Sequence, residues 1–490
     1  MVESTEAEKS GVQVPGLTAK LCEWVGALQL SDVPEEVVTR TKYLILDGLA
    51  CAIIGAHLPW SETGTKAVLS MEAAGSCSVW GWEKKIGPLP ASLLNSSFIQ
   101  SFELDDFHSE APIHSSAVVL PALLALLQHT ESPVADTQFL IAALIGYELG
   151  PRVGLGLWGG DILSRGWHSG AVFGPAAAAA ATSKLLNLQP GKIEEAIGIA
   201  CTQACGLMSA QYGSMVKRMQ HGFAARNGLF STLMVSQGYT GIKEVLETPY
   251  GGFISTFGNG GTREPPTTPH RIIENLGSAW ELQNINVKPY ASMAATHGTV
   301  DCIRKIQELH PNALSDVDEV EEIIVEMSGP AFKKGGWVPE RPVKSTSAQM
   351  SAPYAAACQI VDGAVFVQQF APAFLEREEI WKWAHKFRCV HNPEFDRDKK
   401  TMWGQKMTTS FKNASREKIE VFVPAPRGVK PLLTNEEILE KWRKLTEDII
   451  DVDVRDKIEG LVLGLGGGIE VHQIVELLGK QTQQLASFKS

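Results

Sequence analysis

The sequence predicts a mainly α-helical protein with a smaller α+β domain, on three observations. From Leu17 to about Leu246, apolar residues recur at three- and four-residue spacing, with alanine-rich stretches and little β-branched alternation. Between Tyr250 and Pro269, the groups Gly251-Gly252, Gly258-Asn259-Gly260-Gly261 and Glu264-Pro265-Pro266 cluster as turn signals and mark a candidate hinge. Beyond them, Val320–Met327 and Lys418–Val423 are β-branched and partly alternating, as strands are. The expected organisation is a flexible N-terminus over residues 1–16, a helical domain over 17–268, an α+β domain over 269–430, and C-terminal helices over 431–490. Those last helices regain helical periodicity from Asn435 to about Leu478 and can pack back on the first region, which would make it discontinuous.

Taken in chain order, a helix is expected to start at Pro34-Glu35-Glu36 after Ser31-Asp32 and to continue through Ile45-Leu46-Asp47-Gly48-Leu49-Ala50. Its small residues Gly48, Ala50 and Ala52 allow close helix approach, and the segment Gly170 to Leu188 reads the same way. The apolar stretches Ala117–Leu127 and Ala171–Ala181 fall short of the roughly 18 residues a membrane span needs, and Pro121, Gly174 and Pro175 interrupt them. Met1 to Gly16 carries neither an apolar signal core nor an arginine-rich amphipathic pattern, so a cytosolic location is expected.

Composition narrows the function. The 490 residues hold 44 basic and 55 acidic side chains with no long Lys/Arg run, which argues against a nucleic-acid partner. Eight cysteines form no CxxC pair and lie mostly among apolar residues, as reduced core thiols do. Gly154-Leu155-Gly156-Leu157-Trp158-Gly159 matches G-x-G-x-x-G, but a helical pattern precedes it where a dinucleotide site requires a strand. Gly464-Leu465-Gly466-Gly467-Gly468 lacks the Lys-Ser/Thr of a phosphate loop and reads as a helix terminus.

Four segments could carry chemistry. The first runs from Glu103 to Ser116 and holds Glu103, Asp105, Asp106, His108, Glu110 and His114 between apolar stretches. Metal ligation is one option there, although neither H-E-x-x-H nor a thiolate pair is present; the alternative is that the acids cap the next helix and His108 faces solvent. In the second, His168 opens a Gly- and Ala-rich helix, where the positive end of the dipole favours a neutral ring. The third is Met215–Gly228, which as continuous helix would place Lys217 with His221 on one face and Arg218 with Arg226 on another. In the fourth, Lys288 precedes Pro289 and is held extended, a geometry that can aim its amine across an interdomain cleft. His297, nearby, reads as structural.

These segments, together with Lys42–Gly48 and Gly198–Gly213, resemble the MmgE/PrpD family along most of the chain. The resemblance implies a large helical domain with a smaller lid domain, a homodimer, and a lyase that needs no cofactor or metal. Carried over position by position, the family's active site falls on Asp105, His114, His168, Lys217 and Lys288, with His221 beside them as a further substrate contact. The implied activity is decarboxylation of the small tricarboxylate cis-aconitate to itaconate; the alternatives are dehydration of 2-methylcitrate or a related acid, and organic-acid binding without catalysis. Ser292-Met293 stands where many dehydratases of the family carry Cys-Arg, which weighs against dehydration. Trp337 lies near the place of a lid tyrosine in some relatives and has no assigned role. On the same resemblance, Lys217 and Lys288 would bind carboxylates, His114 and His168 would share proton delivery and hydrogen bonding, and Asp105 would orient a histidine or lysine.

Overall fold

A computed structural model describes residues 16–130, 133–397 and 402–488. The expected flexible N-terminus lies, apart from Gly16, outside the described residues.

The first half is a packed set of helices, and its sequence explains the packing. Helix Glu35–Gly55 begins after Pro34 with two acids in its first turn, where the dipole favours them, and is buried almost continuously from Leu44 to Gly55. A Cβ on Gly48 would stand 2.7 Å from Ser116 Cβ, so only glycine lets this helix approach helix Ser115–Thr130 so closely. Helix Ser169–Leu185 lies at the centre, against Asp136–Gly156 and Gln220–Ser236. Its run Ala176–Ala181 is at most 1% exposed, and the small side chains let helices on both sides come near. Helix Asp136–Gly156 is long and apolar enough to cross a bilayer, yet it is buried continuously from Phe139 to Gly156 inside this fold.

The Gly/Pro-rich segment near 250–269 is tied to these helices. It contains a short helix, Phe253–Gly258, with Phe253 and Phe257 buried. The Arg165 guanidinium donates to the Asn259 and Phe257 carbonyls, both at 2.5 Å. The glycine pattern at 154–159 also has a packing cause: a Cβ on Gly154 would stand 2.6 Å from Ala111 Cβ, and one on Gly156 2.7 Å from Ile272. At 464–468, Asp136 Oδ2 accepts from the amides of Gly466, Gly468 and Ile469 at 2.8–2.9 Å, which fixes a turn after helix Val452–Leu463.

The second half carries a four-stranded sheet ordered Phe387–His391, Val320–Met327, Gln405–Phe411, Ile419–Val423. Its first pair is parallel and the other two are antiparallel. Two of these strands coincide with the alternating segments of the sequence. Gln405–Phe411 escapes such reading because its buried positions include Gln405 and Thr409 beside Met407 and Phe411. The helical half also holds a hairpin of Ala74–Val79 and Lys84–Ile86, whose Ala-Gly-Ser-Cys-Ser run gives little β signal, and a two-residue strand, Phe107–His108.

Near the C-terminus, helix Asn435–Thr446 is closed at its start by a reciprocal Thr434–Glu437 capping box and lies against helix Glu35–Gly55. Its Lys441 Nζ stands 2.7 Å from Asp47 Oδ1 and donates to the Leu104 carbonyl at 2.5 Å. Asp47 is fully buried and Lys441 nearly so. Removing one partner of such a pair leaves an uncompensated charge. Lys441→Met should therefore destabilise the fold by roughly 3–5 kcal/mol, and adding Asp47→Leu should restore most of the loss. Urea unfolding midpoints check this, and a single variant as stable as the wild type would contradict it.

Candidate active site

The loop from Glu103 to His114 is fastened at several points, and each fastening aims a side chain. Helix Pro88–Ile99 and a 3₁₀ turn at Gln100–Phe102 lead to Glu103, which adopts the left-handed conformation (φ 57°) uncommon for a residue with a side chain. The carbonyl of the next residue, Leu104, is held by Lys441. Asp106 accepts from the amides of Ser115 and Ser116 at 2.9 and 3.0 Å and so caps helix Ser115–Thr130, as one alternative for the acidic run held. Burial and neighbouring Asp105 push its carboxyl up to about 6.

Phe107 and His108 pair antiparallel with Asn286 and Ile285, which ties this loop to the segment that delivers Lys288. The other part of that alternative, a solvent-facing His108, is not what the structure shows. His108 is 3% exposed, accepts from the Ala111 amide through Nδ1, and meets Glu281 at 3.2 Å through Nε2.

Glu103 is the hub of the site. Oε1 accepts from Lys217 Nζ and from Arg218 Nη1, the latter at 2.9 Å, and Oε2 accepts from Lys288 Nζ at 3.1 Å. Lys288 Nζ also lies 3.7 Å from Asp105 Oδ1. All five side chains are buried. Burial alone would raise the Glu103 carboxyl, but Lys217, Lys288 and Arg218 hold it well below the usual range. Burial, helped by Arg218 and Lys288 and opposed by Glu103, brings Lys217 down to about 8.

The two separate cationic stripes expected from Met215–Gly228 do not form. The chain makes a 3₁₀ turn over Met215–Met219 before helix Gln220–Ser236, and this change of period turns Lys217 and Arg218 toward the same carboxylate. Arg226 stands apart, bonded to Asn227 and 5.4 Å from the Phe223 ring centroid. Arg218 reaches onward to Gln349 Oε1 at 2.9 Å, and Gln349 Nε2 donates to the carbonyls of Phe102 and Ala291, both at 2.9 Å.

Beside this cluster stand three imidazoles. His114 Nδ1 lies 2.9 Å from Asp105 Oδ2, and its side chain is 20% exposed. Burial would raise Asp105, but His114 and Lys288 hold it below its usual value. His168 is the N-cap of helix Ser169–Leu185, and its Nδ1 accepts from the Ala171 amide at 3.2 Å. That bond leaves the proton on Nε2 in the neutral ring. Burial first, then His114 and Lys217, lower His168 to about 3.

His221 is fully buried, and its ring meets those of His114 and His168 edge-on at centroid distances of 4.8 and 4.7 Å. Burial and both neighbours hold it well below the ordinary histidine value. A Cβ on Gly170 would stand 2.1 Å from its Nε2, so position 170 must be glycine for this ring to fit. His297 starts helix His297–Leu309 and places Nε2 3.0 Å from the Ser292 carbonyl, a structural role.

The structure thus joins Asp105, His114, His168, Lys217, His221 and Lys288 in one contiguous cluster. Glu103, Arg218 and Gln349 were not singled out as site residues from the sequence. Glu103 was visible only as one acid in a run, and nothing in its spacing separates it from Asp106, a helix cap, or Glu110, which pairs with Arg271 at 3.4 Å. Among the described residues, no group of three or more His, Cys, Asp or Glu side chains is arranged to hold a metal ion.

Paired cations beside buried imidazoles, carried on a helical body joined to a mixed-sheet half, agree with a family assignment by sequence. The chain belongs to the MmgE/PrpD family: the MmgE/PrpD N-terminal domain matches residues 19–265 and the C-terminal domain residues 290–465. It is 45% identical over 470 residues to a cis-aconitate decarboxylase-like protein, oryM, of Aspergillus oryzae, covering 94% of this chain and 97% of that one. It is 44% identical over 471 residues to a cis-aconitate decarboxylase of Aspergillus terreus, covering 94% and 96%. The cis-aconitate decarboxylase of Mus musculus is 24% identical over 461 residues, 92% and 90% of the two chains.

The low value of His168 has a consequence for stability. An unfolded histidine takes up a proton near pH 6.5, whereas folded His168 does so only near 3, so folding loses stability as pH falls below about 6.5 and loses none from this group above it. His168→Asn keeps a good N-cap and removes this proton. Between pH 6.5 and 5 the stability of the variant should fall less steeply than that of the wild type, by up to about 1.4 kcal/mol per pH unit. Equal slopes in urea unfolding series would contradict a buried neutral ring.

Proposed function

We propose that this protein decarboxylates cis-aconitate to itaconate and CO2. The observation that carries the proposal is the convergence of Lys217, Arg218 and Lys288 on Glu103 beside the His114–Asp105 pair. The names of the Aspergillus relatives, over nearly the full chain, support the same substrate.

Each lysine ammonium has three N–H donors. The bond from each to Glu103 leaves others for a substrate carboxylate, while Glu103 keeps the cations in register before substrate arrives. In cis-aconitate, the carboxylate on the methylene is β,γ to the double bond. As its C–C bond breaks, that electron pair becomes the new terminal C=C. The former double-bond pair takes a proton at the CH carbon, which becomes the methylene of itaconate. One proton is consumed and one CO2 leaves.

His114 is the proton donor in this scheme. Asp105 beside Nδ1 steadies the imidazolium and leaves Nε2 for the substrate. His168 is neutral near pH 7, so it serves as a hydrogen-bond donor rather than as the acid. Asp105 stays off the substrate because two carboxylates in a dry site repel. As the family resemblance implies, the protein works as a homodimer; a light-scattering mass equal to a single chain would contradict this.

Incubating the purified protein with cis-aconitate and with 2-methylcitrate, with products identified by NMR, tests the reaction. Itaconate and CO2 are expected from the first; an alkene that keeps every carboxylate would overturn the decarboxylation. Lys217→Ala should lower kcat/KM roughly a hundredfold or more. Activity of the wild type should fall as pH rises through about 8, where Lys217 loses its charge. A rate that keeps climbing to pH 9 would contradict both the cationic lysine and the histidine acid.

A further inference from the structure

One cation next to this site has no counter-charge. A cavity of about 70 Å³ is lined by Gln211, Lys334, Trp337, Ser347 and Met350. It lies between the two halves of the chain. Gln211 comes from the 3₁₀ turn Met208–Tyr212, just before the turn that carries Lys217 and Arg218; Lys334 comes from helix Gly329–Gly335; Ser347 and Met350 come from helix Ser345–Met350. That last helix also bears Gln349, which binds Arg218, so the cavity adjoins the charged cluster through one shared element.

The backbone around Lys334 is tightly fixed. A Cβ on Gly335 would stand 2.9 Å from the Met350 carbonyl and 2.8 Å from Met293 Cε. Trp337 Nε1 donates to the Lys334 carbonyl at 3.1 Å, and the Trp337 carbonyl accepts from Ser351 Oγ at 2.7 Å. The polar ends of the lining are free by contrast. Among the described residues, Lys334 Nζ, the Gln211 amide and the Ser347 hydroxyl have no hydrogen-bond or ion-pair partner, and no carboxylate lines the cavity. Lys334 is half-buried, and its partial burial lowers the amine from its usual value with no neighbouring carboxylate to offset it. The lining offers one ammonium, one side-chain amide and one hydroxyl, the complement of a single carboxylate.

We propose that this cavity is a subsite for one terminal carboxylate of the substrate, with Lys334 as its counter-ion and Gln211 and Ser347 as its hydrogen-bond donors. Lys334 thereby sets the preference for three carboxylates over two. The subsite deepens the proposed cis-aconitate reaction and rests on it.

The test compares two unreactive inhibitors, tricarballylate and methylsuccinate, which differ by one terminal carboxylate. Lys334→Gln should weaken inhibition by tricarballylate roughly tenfold or more and leave inhibition by methylsuccinate nearly unchanged. The loss for cis-aconitate should fall on KM more than on kcat, and Lys334→Arg should restore part of it. Ser347→Asp, which places a repelling carboxylate in the same cavity, should give the same selective loss and serves if the lysine variant misfolds. Equal weakening of both inhibitors, or of neither, would overturn the subsite. A wild-type protein that fails to turn over cis-aconitate would overturn the parent reaction instead, so the two failures are distinguishable.

Discussion

The buried carboxylate of Glu103 is the point on which the site depends. Three cations and one carboxylate, all removed from water, would be costly to assemble if any were left without a partner. Glu103 relieves this by accepting from Lys217, Arg218 and Lys288 together. The three reach it from different places in the chain: two from the turn before helix Gln220–Ser236, and one from the segment after the short strand Ile285–Asn286. The fold is arranged to make this meeting possible. Phe107 and His108 pair with Asn286 and Ile285, Lys441 holds the Leu104 carbonyl, and Gln349 braces Arg218 from the sheet-bearing half. A substrate carboxylate therefore meets cations already in place.

The imidazoles illustrate how position divides labour among like groups. His168 and His221 stand by small residues at the start of helix Ser169–Leu185 and are kept neutral by burial first, then by His114 and Lys217, with His168 acting on His221 as well. His114 is the more open of the three and has an acid at its Nδ1. One side-chain type thus supplies a helix-capping ring, a fully buried ring whose two nitrogens bond, among the described residues, to no other side chain or backbone group and, in the proposed chemistry, an acid, according to what surrounds each copy. Gly170 belongs to this division, since any side chain there would displace His221.

Much of this was legible in the sequence, for reasons that can be named. Helical periodicity and alanine-rich runs marked the helical body, and β-branched alternation marked Val320–Met327 and Ile419–Val423. His168 was recognisable as a helix-entry residue because glycine and alanine follow it. What escaped depends on three-dimensional partners. Strand Gln405–Phe411 buries polar side chains, so alternation of hydrophobicity does not reveal it. The common target of Lys217 and Arg218 follows from a 3₁₀ turn that residue spacing alone does not announce. The role of Glu103 exists only once segments more than a hundred residues apart are brought to it.

The most direct measurement is a crystal structure of the protein with tricarballylate bound. One carboxylate is expected within hydrogen-bond distance of both Lys217 Nζ and Lys288 Nζ while Glu103 remains in contact with them, and the ligand's carbon chain should face His114 Nε2. A ligand bound away from these lysines, or cations that leave Glu103 and scatter on binding, would contradict a preassembled carboxylate site.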